Sequence, residues 1–185
     1  MARRSDVTRE AILNAARERF AADGYERATI RAIAADAGID PAMVMRYYGN
    51  KEKLFATAAE FDLRLPDLTV IPRDEIGSTL ARHVLTRWER SETMMALLRA
   101  GVTHPSAAER MRSICATQLG AAFAAIGLDD IPVRAGLVAT QVLGFALCRY
   151  ILEFPPVVAM DNEAVVHWLG PTLQRYLTGE QPGSL

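Results

Sequence analysis

Ala42, Met43, Arg46 and Tyr47 fall within one short segment, Pro41 to Tyr48, inside the stretch ADAGIDPAMVMRYYGNKEKLF at residues 35–55. On a helical wheel Val44 and Tyr48 lie together and turn inward with Ile39. Ala42 and Arg46 point the opposite way, flanked by Met43, Met45 and Tyr47. An arginine pairs bidentately with a guanine edge and apolar groups meet thymine methyls, so this outward set suits the major groove of double-stranded DNA. Asp40 as cap and Pro41 at the first helical position define the N-terminal end, the part of a recognition helix that reaches bases.

Neighbouring positions supply contacts to the DNA backbone. Lys51 and Lys53, the only lysines in the chain, fall in the first turn of the next helix, where the macrodipole already disfavours cations. Backbone N–H groups beside two ammoniums make an anion site that a phosphate fits. Thr29 and Arg31 are placed the same way at the start of the preceding helix. Taken singly, Arg46 or Lys51 also reads as an ordinary solvated charge, and a glycine turn between two helices is common in any bundle.

An eight-residue helix is unstable alone, so other elements must hold it. The spacing predicts a first helix over Val7 to Asp23, capped by Ser5 or Asp6, with Ile12, Ala16 and Phe20 on one face and Gly24 as its stop. A second, capped by Thr29, carries Ile30, Ile33 and Ala37 and ends at Gly38. A fourth starts at Asn50 and runs to about Leu65, where Pro66 and Pro72 bracket a linker. Helices follow at about 74–90, 92–102, 106–126, 132–153 and 162–178, with Pro171 expected to kink or restart the last. The expected fold is all-α, about nine helices in all. A three-helix helix-turn-helix unit comes first and a larger C-terminal bundle follows, divided as residues 1–55 and 56–185.

Composition sets outer bounds. Half the 185 residues are hydrophobic and 23% are charged, an ordinary globular balance. Residues 1–55 hold ten basic against eight acidic side chains, while the whole chain is at −1. Bulk charge therefore gives no argument for a nucleic-acid partner, and the N-terminal excess only a mild one. Cys115 and Cys148 suggest neither a disulfide framework nor a metal site. The arginines near the start precede no apolar stretch of a signal peptide, and the run LVATQVLGFALC is too short to span a bilayer. The expectation is a cytoplasmic protein with no membrane partner.

Over residues 11–55 the chain resembles the TetR family of bacterial transcriptional repressors. Ile12-Leu13, Ala15-Ala16, Phe20, Gly24-Tyr25, Thr29, Ile33-Ala34, Ala37-Gly38, Tyr48, Lys51 and Leu54 stand at that family's relative positions. The resemblance implies Thr29 and Lys51 as phosphate contacts, Arg46 within the recognition helix, and Tyr47 in a slot often held by a phosphate-contacting histidine. Two positions depart from the pattern. Met45 stands where many members have tyrosine, and Asp40 where a small polar cap is usual. The implied function is a ligand-responsive regulator, a repressor released from a palindromic DNA operator by a small, mostly apolar effector.

The resemblance also implies a ligand cavity in the C-terminal bundle. Trp88, Met94, Met95, Met111, Cys115, Gln118, Gln141 and Phe145 recur on apolar faces. They suit a pocket lining, with methionines for adaptability and the two glutamines as orienting groups. They equally suit plain core packing.

A homodimer is expected from the last two helices. Gly136, Thr140, Gly144 and Cys148 recur every four residues, flanked by Leu137, Leu147 and Ile151. Val165, Trp168, Leu169, Leu173 and Tyr176 make a broad apolar stripe, which packing within one chain would also explain. His83, His104 and His167 show no metal or catalytic-triad spacing, so neither an enzyme nor a cofactor is expected. The alternative is a helical small-molecule-binding protein without DNA binding.

Overall fold

The computed structural model describes residues 4–58, 62–89 and 91–180, among which there is helix, turn and loop but no strand. The helices are α1 (Arg4–Arg27), α2 (Ile30–Asp36), α3 (Pro41–Tyr48), α4 (Lys51–Ala58), α5 (Ile76–Trp88), α6 (Glu92–Gly101), α7 (Pro105–Ile114), α8 (Gly120–Ala125), α9 (Ile131–Tyr150), α10 (Pro155–Val158) and α11 (Asn162–Thr178). A 3₁₀ turn spans Leu68–Val70, and a π-helical turn, Cys115–Leu119, joins α7 to α8. The described residues form two compact units, one from residues 1–61 and 91–112, the other from 62–90 and 113–185.

In the first unit the apolar face of α1 forms the core. Ile12, Ala16 and Phe20 are buried, as are Ile33 and Ala34 of α2, Val44 of α3, and Leu54 and Phe55 of α4, with α1 in contact with α2 and α4 and α3 packed on both of these. Phe20 meets Phe55 edge to face with centroids 4.9 Å apart, and Tyr25 meets Phe55 at 5.0 Å. Helix α6 packs along α1, so residues 91–112 complete this unit. Arg19 grips Asp36 with two hydrogen bonds, 2.7 and 2.6 Å, fixing the end of α2 against α1. That pairing holds the Asp36 carboxyl below its ordinary range.

The second unit is organised by α5 and α11, which lie antiparallel and share most of its buried leucines. They approach backbone to backbone at two buried glycines. A Cβ on Gly77 would stand 2.4 Å from the Gly170 carbonyl oxygen and 2.5 Å from the Gln174 nitrogen, which no side chain can occupy. Gln174 also satisfies the start of α5, accepting from the Gly77 N–H (2.7 Å) and donating to the Arg73 carbonyl (2.8 Å). Arg134 of α9, 9% exposed, donates to Asp129 (2.8 Å) and to the carbonyls of Tyr176 and Gly179 at the end of α11.

Several expected boundaries move. The helix expected to continue to Leu65 is described as α4 as far as Ala58; residues 59–61 lie outside the described residues, and 62–67 are not helical. Side chains take the backbone groups a helix would use there. The Gln118 amide oxygen accepts from the Leu63 N–H at 2.7 Å, and His83 Nε2 donates to the Leu63 carbonyl at 2.8 Å. The helix expected over 106–126 contains the π turn. The Pro155-Pro156 punctuation is itself the single-turn helix α10, with Arg149 donating to the Val157 and Met160 carbonyls. Pro171 neither ends nor restarts α11. By length and composition, with a mean hydropathy of 1.6, α9 is apolar enough to cross a membrane, longer than the run read from sequence. One such helix is weak evidence of a membrane span, since a core helix passes the same test.

The glycine contact is testable. Replacing Gly77 with Ala should destabilise the protein by about 1–3 kcal/mol, the usual cost of overpacking at a site that cannot give. Chemical denaturation followed by far-UV circular dichroism checks it. An unchanged midpoint would mean that α5 and α11 do not meet at this pair.

Candidate nucleic-acid interface

Helix α3 has the bounds expected of it, and each end has a local cause. The Asp40 carboxylate accepts from the Ala42 N–H at 2.7 Å, Pro41 opens the helix, and Gly49, with φ +82°, closes it. Gly38, with φ +65°, turns the chain between α2 and α3. Val44 is fully buried and Tyr48 half-buried, its hydroxyl donating to the Arg9 carbonyl of α1 at 3.0 Å. Burial pushes the Tyr48 phenol up from its ordinary range, so it remains a neutral donor at physiological pH.

The opposite side is open. Ala42, Met45 and Arg46 are exposed, and Met43 and Tyr47 half-exposed. The Arg9 guanidinium lies 5.8 Å from the centroid of the Tyr47 ring, within cation–π range. Arg9 therefore engages both C-terminal tyrosines of α3, one by its backbone and one by its side chain. Nothing in the local pattern marks it, since the partners lie some 39 residues apart in sequence.

The flanking positions surround this face with polar groups. Thr29 caps α2, its hydroxyl oxygen accepting from the Ala32 N–H at 3.1 Å, which leaves the hydroxyl proton for an outside acceptor. Arg31 and Lys53 are exposed. The start of α4 is less open than expected. Asn50 accepts from the Lys53 N–H at 2.7 Å, so that backbone donor is already engaged. The Lys51 ammonium donates to the Glu26 carbonyl (3.1 Å) and sits 4.4 Å from the centroid of the Tyr25 ring. Burial, then the Glu52 and Glu26 charges, push the Tyr25 phenol up, keeping that ring neutral beneath the cation.

The residues expected to line a ligand pocket divide between the units. Met94, Met95 and Met111 belong to the first; Trp88, Cys115, Gln118, Gln141 and Phe145 belong to the second. Met94, Met95 and Trp88 are buried. Cys115 and Phe145 pack against the core of the second unit, and burial pushes the Cys115 thiol up. Gln118 is engaged with the Leu63 backbone.

The expected dimer stripe needs a correction on α11. Val165, Leu169 and Leu173 are 1%, 5% and 0% exposed, because the close contact with α5 turns them into the core. Tyr176 is half-buried against that core, and Trp168 is 69% exposed. On α9, Gly136, Thr140 and Gly144 are exposed, with open space where a Cβ would stand on either glycine, and Leu147 and Ile151 are half-buried. Val133, Leu137, Pro171, Thr172, Arg175 and Tyr176 line an open groove between α9 and α11.

A two-helix reader with a capped, outward-facing second helix, followed by a separate helical bundle, defines a helix-turn-helix regulator. Residues 12–58 match the domain described as bacterial regulatory proteins, tetR family, and residues 74–177, more than half the chain, match the tetracyclin repressor-like C-terminal domain. The chain belongs to the TetR family of transcriptional regulators, which are DNA-binding proteins. Similar solved structures include a TetR-family regulator from Streptomyces coelicolor A3, 30% identical, with 96% of this chain and 99% of that chain covered and a TM-score of 0.59. A transcriptional regulator from Rhodococcus sp. RHA1 is 23% identical over 94% of this chain and 99% of its own, with a TM-score of 0.63. A TetR regulator from the same organism reaches a TM-score of 0.66 at 16% identity, covering 96% and 98% of the two chains. Comparison with curated proteins gives no match.

Asp40 offers a clean perturbation of this face. Asn caps as well as Asp does, so Asp40→Asn keeps α3 intact while removing a negative charge from its N-terminal end. Duplex affinity should rise by roughly two- to fivefold at low salt, similarly for all sequences, with little change in thermal stability. Fluorescence anisotropy measures this; unchanged affinity would place Asp40 away from the phosphates.

Proposed function

We propose that the protein is a ligand-responsive repressor that acts in the cytoplasm as a homodimer on a palindromic operator, the residues up to 55 reading DNA and the remainder binding effector and partner. The outward face of α3 carries the reading: one bidentate donor, Arg46, with small and apolar neighbours Ala42 and Met43, on a helix whose start is fixed by Asp40 and Pro41. Arg46 would read a base edge in the major groove and Tyr47 would stand beside it, with Thr29, Arg31 and Lys51 on flanking phosphates.

One eight-residue helix touches few base pairs, so useful selectivity needs two copies on half-sites about one helical turn apart or a multiple of it. The exposed row of Gly136, Thr140 and Gly144 on α9, with Leu137 in the groove to α11 and Trp168 exposed on α11, supports pairing through these two helices. A small, mostly apolar effector bound within the C-terminal part would release DNA. It would do so only by binding the DNA-free form more tightly; a near-complete switch takes a difference of about 5.5 kcal/mol.

Selection from genomic fragments with the purified protein identifies the operator. On it, Arg46→Ala should cost about 1–3 kcal/mol and relax preference at one base position. Lys51→Ala should weaken all sequences alike and flatten the salt dependence by about one unit. Wild-type affinity and slope in both variants would sink the assignment.

The dimer has its own test. Leu137→Glu with Trp168→Asp alters two exposed side chains, so the chain should stay folded yet become monomeric by light scattering and lose operator affinity. A wild type already monomeric at micromolar concentration would end the proposal.

A further inference from the structure

His104 occupies the turn between α6 and α7, where its backbone is fixed at both ends. Its N–H donates to the Ala100 carbonyl (2.8 Å), and its carbonyl accepts from the Ala108 N–H (3.0 Å). From there the side chain reaches the corner that ends α1. Nε2 lies 2.8 Å from Glu26 Oε1 and, facing a carboxylate, is the donor; the ring centroid lies 4.2 Å from that of Tyr25. The same two residues hold Lys51, whose ammonium donates to the Glu26 carbonyl and covers the Tyr25 ring.

Two consequences follow for the ammonium. A lysine is a point charge on a flexible stem, and order imposed before binding is order that binding need not impose. Here that order depends on a corner directly after Gly24, whose φ of +73° breaks the helical run of α1. His104 braces that corner. Glu26 also presents two acceptors, a carbonyl facing Lys51 and a carboxylate engaged by His104. Without the imidazole, the carboxylate is free to swing to Lys51 and compete with a phosphate for it.

We propose that His104 is a positioning residue for Lys51, holding the Glu26 carboxylate and the Tyr25 ring so that the ammonium stays available to a DNA phosphate. This rests on the reading of Lys51 as a phosphate contact. A turn outside the helix-turn-helix segment thereby sets part of the protein's DNA affinity.

The test uses the full-length protein and the duplex recovered by selection with the wild type. His104→Ala should weaken binding by roughly three- to tenfold, the scale of one ordered hydrogen bond, and lower the salt slope. In a Lys51→Ala background it should change nothing further. Adding Glu26→Gln to His104→Ala should restore most of the loss, because the competing charge is gone, and His104→Gln, which keeps a donor, should bind nearly as wild type. A general loss of folding would not produce that rescue. If Lys51→Ala itself leaves affinity and slope unchanged, the phosphate reading fails and this proposal with it. If Lys51→Ala weakens binding while His104→Ala does not, or weakens it equally in both backgrounds, the positioning role is overturned and the phosphate contact stands.

Discussion

An isolated helix of eight residues is not stable in water, so every property of α3 that matters for DNA is borrowed from the helices around it. Its rigidity comes from Val44, fully buried in the core of the first unit, and from the Tyr48 hydroxyl tied to the Arg9 carbonyl. Its direction comes from the glycine turns on either side and from the Asp40 cap. Helix α1 is thus the common support: it carries Phe20 and Ile12 for the core, Arg19 for the end of α2, and Arg9 for the end of α3. The outer face of α3 is unburdened by packing, so Ala42, Met45 and Arg46 are exposed.

The same accounting of faces governs the second unit. Two glycines let α5 and α11 come together until backbone meets backbone, and that approach decides which side of α11 is buried. Val165, Leu169 and Leu173 turn inward, and Trp168 is left outside together with the small residues of α9. Gln174 and Arg134 then satisfy polar ends that the close contact would strand, one at the start of α5 and the other at the end of α11. The exposed apolar surface of α9 and α11 is the remainder after the unit has built its own core.

What could be read from sequence was local. The bounds of α3, the Thr29 and Asp40 caps and the inward turn of Val44 all follow from signals within four residues of where they act. The non-helical course of 62–67 was not legible, because Gln118 and His83, some 55 and 20 residues from Leu63, claim its backbone. Nor was the use of the α11 stripe. An apolar face shows that something covers it, but only the Gly77–Gly170 contact shows that α5 does. Arg9 and His104 were missed for the same reason: each acts through partners far along the chain, where spacing carries no information. The helical class and the bounds of α3 survive this limit because periodicity and caps are short-range properties.

Net charge −1 is unusual comfort for a protein that must hold a polyanion, and it shifts the burden from bulk charge to placement. Around α3 the cations are placed singly: Arg46 outward on α3, Arg9 beside Tyr47, Lys51 on the Glu26 carbonyl, and exposed Arg31 and Lys53 on α2 and α4. Acidic groups stand close to each of these elements, Asp40 at the start of α3, Glu52 in the first turn of α4, and Glu26 near the end of α1 with its carboxylate on His104. Attraction over distance is therefore weak, and tight binding requires that the few cations meet phosphates and bases in register. In such a design small rotations of a helix end matter more than they would on a strongly basic surface, where a displaced lysine is replaced by the next one.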